Sequence, residues 1–97
     1  MIEWARVVGF DWDAGNERKS AAKHRVTQSE AEQAFFNQPL LVLRQSFAEA
    51  RFHALGCTNE KRRSHITFTL RREATLIRVI SARDMNARER LAYEKGP

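Results

Sequence analysis

The sequence has few of the features that mark secreted, membrane or metal-binding proteins. Its single cysteine, Cys57, cannot form an internal disulfide or a zinc cluster. The longest apolar run, residues 39–43, is far shorter than the roughly 20 residues that a membrane-spanning helix needs. The first residues, MIEW, have no basic segment leading into an apolar one, as a secretion signal would. We therefore expect a cytoplasmic protein without a metal or another cofactor.

Segments that would divide the chain are also missing, since the sequence has no repeat, low-complexity tract or linker. With 97 residues, 42% apolar and 30% charged, residues 1–97 are expected to form one domain with a single core. Seventeen lysines and arginines against twelve aspartates and glutamates give a net charge of +5. The charge suggests a polyanionic partner, and nucleic acid is the first candidate.

Hydrophobic periodicity predicts an α+β fold. Two helices are expected near the N-terminus, one over residues 17–24 and one that begins at Thr27 and stops at Pro39, and a third runs from Asn86 through Tyr93. Strands are expected over residues 9–13, 41–47, 51–57, 65–70 and 76–81. Because the links between the last four strands are short, we expect an antiparallel meander, and the whole sheet of four or five strands is expected to be antiparallel.

Two helix starts carry the sequence of a capping box. Thr27 and Asn86 are each followed three residues later by a glutamate, Glu30 and Glu89 respectively. In such a box the cap side chain accepts from the glutamate amide, and the glutamate carboxylate reaches back to the cap amide. Both helices are therefore predicted to begin at these positions.

The last two strands leave two registers open. If Phe68 pairs with Arg78, the guanidinium lies on the core face; if Phe68 pairs with Val79, Arg78 joins the face of Thr67 and Thr69. Burying an unpaired arginine is costly, so the second register is favoured unless an acid accompanies the arginine. Arg78 is then expected in mid-strand on an open sheet face.

Arg51 and His53 are expected to face outward as well. Guanidinium donors match phosphate oxygens bidentately, so Arg51 and Arg78 together suit a phosphodiester. The alternative from the residues alone is a set of solvated ion pairs, with acids such as Glu49 or Glu73.

The histidines do not single out one role. Lys23 and His24 end the first predicted helix, where a histidine could act as a general base or simply interact with the carbonyl end of the helix dipole. His53 and His65 each stand alone on a predicted strand. For these two, a surface or core role is favoured over catalysis, and no spacing in the chain predicts a metal site.

The segment from the last strand into the C-terminal helix carries further polar residues. Arg83 follows the strand and Tyr93 projects from the helix, so both could approach the face that carries Arg78. Strand alternation places Ser81 on the other face, unless the strand twists or ends there. The alternative is structural, with Arg83 paired to Glu89 and Tyr93 packed on the sheet.

At these residues the sequence resembles the BrnT toxins of bacterial type II toxin-antitoxin systems. The matching segments follow the family's order over nearly the whole chain: FDWD at 10–13, AKH at 22–24, residues 31–39, EARFHALG at 49–56, IRVISAR at 77–83, RER at 88–90 and YE at 93–94. The resemblance is strongest over the last three of these. Arg25 replaces a usual glycine, residues 37–39 lack the usual acid before proline, and residues 71–75 form a compact version of a variable hairpin.

The resemblance implies a RelE-like fold and a ribonuclease that blocks translation. It also implies neutralisation by a BrnA antitoxin, a ribbon-helix-helix protein encoded next to the toxin, and repression of the operon when the complex binds operator DNA. The rival interpretation is a basic nucleic-acid-binding or corepressor module without catalysis.

Metal-independent RNA cleavage needs a base for the ribose 2′-OH, cations for the phosphorane and an acid for the 5′-oxygen. On the resemblance, Arg51 and Arg78 stabilise the phosphate and Arg83 supports them. The catalytic candidates for proton transfer are Glu49, His53 and Tyr93. The candidates for substrate binding are Lys23, His24, Ser81 and Arg88, and of these Lys23 and His24 are also candidates for proton transfer.

Overall fold

The computed structural model describes residues 2–16, 25–43 and 51–96 and confirms the α+β class. A short 3-10 helix, Trp4–Arg6, comes first. The strands and helices that follow are β1 (Gly9–Phe10), α1 (Gln28–Phe36), β2 (Leu40–Leu43), β3 (Phe52–Cys57), β4 (Arg63–Arg71), β5 (Leu76–Asp84) and α2 (Ala87–Lys95). The helix predicted over residues 17–24 lies outside the described residues. No helix in the described ranges is long and apolar enough to cross a membrane.

Both predicted capping boxes are present. The Thr27 hydroxyl accepts from the Glu30 amide at 3.1 Å, and the Glu30 carboxylate accepts from the Thr27 amide at 3.0 Å. At α2 the corresponding distances between Asn86 and Glu89 are 2.8 and 3.0 Å. These local contacts fix where each helix begins, because they satisfy amides that have no partner within the helix.

The five strands form one mixed sheet in the order β1-β5-β4-β3-β2. The predicted antiparallel meander is confirmed for β2 to β5. The expectation of a fully antiparallel sheet is wrong at one edge, where β1 pairs with β5 in parallel through Gly9 with Leu76 and Phe10 with Ile77. The chain leaves β1 at one edge and enters β2 at the other, so β1 never meets a sequence neighbour in the sheet. The RelE-like assignment stays a prediction.

The favoured register of the last two strands is confirmed. Phe68 pairs with Val79 and Thr69 with Arg78, which places the guanidinium on the face away from the core. Phe68 and Val79 are fully buried, with no exposed surface. The hydrophobic pattern therefore determines which way Arg78 points, as expected when one face of a sheet is buried.

A β-bulge beyond this point changes the face of the residues that follow. The pairing shifts between Phe68 and Thr67, so Thr67 lies opposite Ser81 and Ile80 is the extra residue. Simple alternation is therefore wrong for Ser81, which shares the outward face with Arg83 because a bulge inserts one residue into one strand only.

Helices α1 and α2 cover opposite faces of the sheet. Ala31 and Ala34 of α1 are fully buried in the core cluster. A Cβ on Gly56 of β3 would lie 2.8 Å from the Ala34 carbonyl oxygen, so glycine permits the close approach of this helix. Helix α2 lies over the other face, where the outward side chains of β3, β4 and β5 meet it.

Candidate active site

A cavity of about 600 Å³ lies between α2 and the outward face of strands β3 to β5. The register puts the side chains of three neighbouring strands at its floor, since His53 lies opposite Thr67 and His65 lies opposite Arg83. The first turn of α2 supplies the opposite wall. The charged and polar residues of the lining are His53, His65, Thr67, Arg83, Asn86, Arg88 and Glu89.

Two histidines on adjacent strands form a stacked pair in this cavity. The ring centroids of His53 and His65 are 5.0 Å apart and the planes differ by 15°. His53 Nδ1 lies 3.1 Å from His65 Nε2 and 3.2 Å from the Thr67 hydroxyl. A nitrogen-nitrogen hydrogen bond needs one proton between the two atoms, and a second proton there would replace attraction by repulsion. The geometry therefore suits a pair that holds one shared proton.

An ion pair borders the histidines. Arg83 donates from both terminal nitrogens to the two carboxylate oxygens of Glu89, at 2.8 and 2.9 Å. These bonds are the main reason why the pKa of Glu89 is lowered to about 2, and the Asn86 amide and His65 act in the same direction. Glu89 is thus a carboxylate at neutral pH, with one oxygen 3.9 Å from His65 Nε2. Its negative charge therefore lies beside the histidine pair.

The arginines of the cavity keep donors for an anionic ligand. Besides the two bonds to Glu89, Arg83 donates to the Asp84 carbonyl oxygen, so two of its five N–H groups have no partner among the described residues. Arg88 is exposed at the rim. The cavity therefore combines proton-transfer groups with cationic donors, which suits a phosphate ester undergoing acid-base chemistry.

Arg78 lies outside this lining. Its guanidinium pairs with Asp11 at 3.5 Å and with Asp13 at 3.0 Å. Close by, the buried Asn16 side chain donates to the carbonyl oxygens of Asp11 and Val79. The pKa of Asp13 is lowered, first by the amide of Asn16 and further by Arg78. This group ties the chain after β1 to β5, and its described acids, Asp11 and Asp13, come from the FDWD segment.

Tyr93 is also apart from the histidines. Its hydroxyl donates to the Cys57 sulfur at 3.5 Å, and this contact, with burial, raises the pKa of Tyr93. The ring lines a different cavity at the end of β3. The structure therefore does not bring Tyr93 together with His53 or Arg83.

The remaining predicted site residues fall into two groups. Arg51 is exposed just before β3, and Ser81 lies beside Thr67 on the outward face. Three others, Lys23, His24 and Glu49, lie outside the described residues.

Sequence reasoning treated His65 as a lone strand histidine and Glu89 mainly as a helix cap. The signal that would have joined His65 to His53 is the short link between β3 and β4, because a hairpin link fixes the register of its two strands. Glu89 serves two purposes at once, since one of its carboxylate oxygens accepts from the Asn86 amide and from Arg83.

A comparison with protein-family models identifies one match, described as the ribonuclease toxin BrnT of type II toxin-antitoxin systems, over residues 12–89. This range includes the whole histidine and arginine cluster of the cavity. No individual curated protein matches the chain. Because the family model covers most of the sequence and both sides of the cavity, the chain belongs to the BrnT family of ribonuclease toxins.

Proposed function

We propose that this protein cleaves RNA without a metal ion, in the cavity that holds the His53 and His65 pair. The observation that carries the proposal is this stacked pair, with a nitrogen-nitrogen distance of 3.1 Å, beside the Arg83 and Glu89 ion pair. Family membership supports a ribonuclease, and the cavity offers the groups that such a reaction needs.

The pair provides both proton transfers of a 2′-OH attack. With one proton between His53 Nδ1 and His65 Nε2, the neutral pair has one further ring nitrogen that carries a lone pair and one that carries an N–H. The nitrogen with the lone pair takes the proton of the ribose 2′-OH while that oxygen bonds to phosphorus. The N–H of the other ring gives its proton to the 5′-oxygen as the bond from phosphorus to that oxygen breaks, and the shared proton moves from the first ring to the second. The products are a 2′,3′-cyclic phosphate and a 5′-hydroxyl, and the pair is again neutral with one proton between its rings. Histidine suits both steps because its charge changes near neutral pH.

The charged neighbours set up this chemistry. Glu89 places a negative charge 3.9 Å from His65 Nε2, and Arg83 holds the Glu89 carboxylate in place through two hydrogen bonds. The two remaining N–H groups of Arg83 and the exposed Arg88 stabilise the charge that develops on the phosphorane. Arg51, exposed just before β3, is a further contact for the RNA backbone.

The test is incubation of the purified protein with unstructured RNA in EDTA. We expect fragments that end in 2′,3′-cyclic phosphate, and no cleavage of a 2′-O-methyl RNA of the same sequence, because its 2′-oxygen has no proton to lose. Cleavage only after a divalent cation is added, or 5′-phosphate ends, would contradict the mechanism. Retention of RNA without cleavage would support the alternative, a non-catalytic binding or corepressor module.

The family also supports an antitoxin partner. We propose a BrnA-type ribbon-helix-helix protein whose complex with the toxin binds operator DNA and represses the operon, in the cytoplasm. A partner neutralises this basic cavity most directly by placing carboxylates and apolar side chains over Arg83 and Arg88. Hydrogen exchange of the complex should then show protection of α2 and the outward face of β3 to β5. Protection of the α1 face alone would contradict direct occlusion.

A further inference from the structure

A second cavity lies at the end of β3, between the C-terminal end of α1 and the last turns of α2. Its volume is about 540 Å³. Six of its lining residues carry aromatic, amide or cationic groups: Phe36, Asn37, Gln38, Asn59, Lys61 and Tyr93. None of them takes part in the cleavage mechanism, so their grouping needs another explanation.

Hydrogen bonds hold the walls of this second cavity in place. The Asn37 side-chain amide donates to the Cys57 carbonyl oxygen at 2.8 Å and to the Asn59 side-chain oxygen at 3.1 Å. The Asn59 backbone amide donates to the Gln33 side chain at 2.9 Å. The loop after β3 is thus tied to α1, and the cavity is formed before any ligand arrives, which lowers the cost of binding.

This network leaves one acceptor and one donor for a ligand. Both hydrogens of the Asn37 amide are in use, so its side-chain oxygen is the remaining group. The side-chain oxygen of Asn59 is in use, so its NH₂ group remains. Within the described parts of the chain these two groups have no partner. An acceptor and a donor on two side chains that are hydrogen-bonded to each other are the groups that the edge of a nucleobase complements.

The other residues provide stacking and charge. Phe36 is 73% exposed, and within the described residues its ring meets Phe10 edge-on, so much of its surface is open to a ligand. The Tyr93 ring forms part of the lining, and its hydroxyl is already bonded to Cys57. Lys61 is exposed in the adjoining loop. Aromatic rings and a lysine ammonium are the groups that bind single-stranded bases and their phosphates.

The second cavity adjoins the cleavage cavity. Leu55 of β3 and Ala92 of α2 line the cleavage cavity. Cys57 of β3 and Tyr93 of α2 line the second cavity. We propose that the second cavity binds an unpaired nucleobase of the RNA strand whose backbone is cleaved beside the histidine pair. This inference rests on the proposed function, because it gives the same substrate a second contact.

The test compares two uncleavable ligands. A 2′-O-methyl octaribonucleotide can span both cavities, whereas a 2′-O-methyl dinucleotide occupies only the cleavage cavity. Phe36→Leu keeps an apolar side chain but removes the stacking ring, and Lys61→Asn removes the charge with a residue that tolerates the φ of 71° at this position. Leu91→Ala and Lys95→Asn are the matched controls, because both residues are exposed on α2 and line neither cavity.

We expect Phe36→Leu to weaken binding of the octanucleotide by about 5- to 100-fold, the range of one base stack. Lys61→Asn should flatten the salt dependence of that binding. Dinucleotide binding and both controls should match the wild type. Octanucleotide binding that Phe36→Leu leaves unchanged would overturn the inference, as would an equal loss for both ligands or a loss of antitoxin binding alone.

The outcome is separable from the proposed cleavage. If unmodified RNA is cleaved as expected but Phe36→Leu binds the octanucleotide normally, the nucleobase site is wrong and the ribonuclease assignment stands. If the octanucleotide shows the expected dependence on Phe36 and no RNA is cleaved, the binding site stands and the catalytic assignment falls.

Discussion

Two arginines on β5 share a face of the sheet, yet they are built into different surroundings. Arg78 lies between Asp11 and Asp13, two acids of the segment that follows β1. Arg83 binds both oxygens of a single carboxylate, Glu89, on the opposite wall of a cavity that also holds two histidines. The first arginine joins two parts of the backbone, whereas the second borders groups that can move protons.

The difference shows that residue type and strand face do not determine the role of an arginine. Both guanidiniums are half-buried, and both pair with acids. What separates them is the neighbourhood of the acid, because Glu89 also approaches His65 while Asp13 accepts from the amides of a turn. The geometry thus favours a structural role for Arg78 and a role at the reaction for Arg83.

The largest loss of activity is expected from substitution of the histidine pair beside Arg83. His53→Ala and His65→Ala each remove one proton-transfer group, so each should lower kcat by about 10²- to 10⁴-fold. The rate of RNA cleavage in EDTA is the measurement, and circular dichroism checks that the fold is retained. Cleavage at the wild-type rate by both folded variants would remove the pair from the mechanism.

Arg83→Ala and Arg78→Ala compare the two arginines directly. Arg83→Ala removes donors to the phosphorane and frees Glu89, so kcat/KM should fall by about 10²- to 10³-fold. Arg83→Lys should restore activity only partly, because lysine lacks the bidentate fork. Arg78→Ala should instead lower the thermal midpoint and leave kcat/KM of the folded protein close to wild type.

These two variants also decide between the structure and the resemblance, which assigns Arg78 to the phosphate. A loss of activity in Arg78→Ala as large as in Arg83→Ala, at an unchanged thermal midpoint, would show that the ion pairs with Asp11 and Asp13 open for substrate. Arg78 would then take part in the reaction as Arg83 does.

Much of the fold could be predicted because its signals are local. The capping boxes at Thr27 and Asn86 depend on residues three positions apart, and the register of Phe68 follows from burial of one face. The parallel pairing of β1 with β5 could not be predicted, since two residues of strand carry no information about a partner so far along the chain.

The site was less accessible to prediction because it depends on a bulge and on contacts between distant elements. The extra residue at Ile80 brings Ser81 and Arg83 onto the outward face, and no sequence pattern marks it. Tyr93 was expected beside Arg83 but contacts Cys57, because a helix position alone does not tell which strand end it meets.

Glu89→Gln tests the ion pair of the cavity through its pH dependence. The pKa of Glu89 is about 2 in the folded chain, against an ordinary value of 4.5. The ionised carboxylate therefore stabilises the fold above pH 4.5, and this contribution is lost as the pH falls from 4.5 toward 2. We expect wild type to have the higher thermal midpoint at neutral pH and the difference to vanish in that acid window. A difference that grows in acid would contradict the ion pair.

The smallest effect is expected for Asp13→Asn in the Arg78 group. Its carboxylate also has a lowered pKa, but the residue is exposed. The first cause of the lowering is the Asn16 amide, which can still donate to the side-chain oxygen of an asparagine. Asp13→Asn should thus lower the thermal midpoint less than Glu89→Gln at neutral pH. The difference from wild type should fade as the pH falls below 3.8, the ordinary value of this group. Thermal melts of both variants across this pH range are the measurement. A larger loss for Asp13→Asn would mean that the acids around Arg78 hold the fold more firmly than Glu89 does.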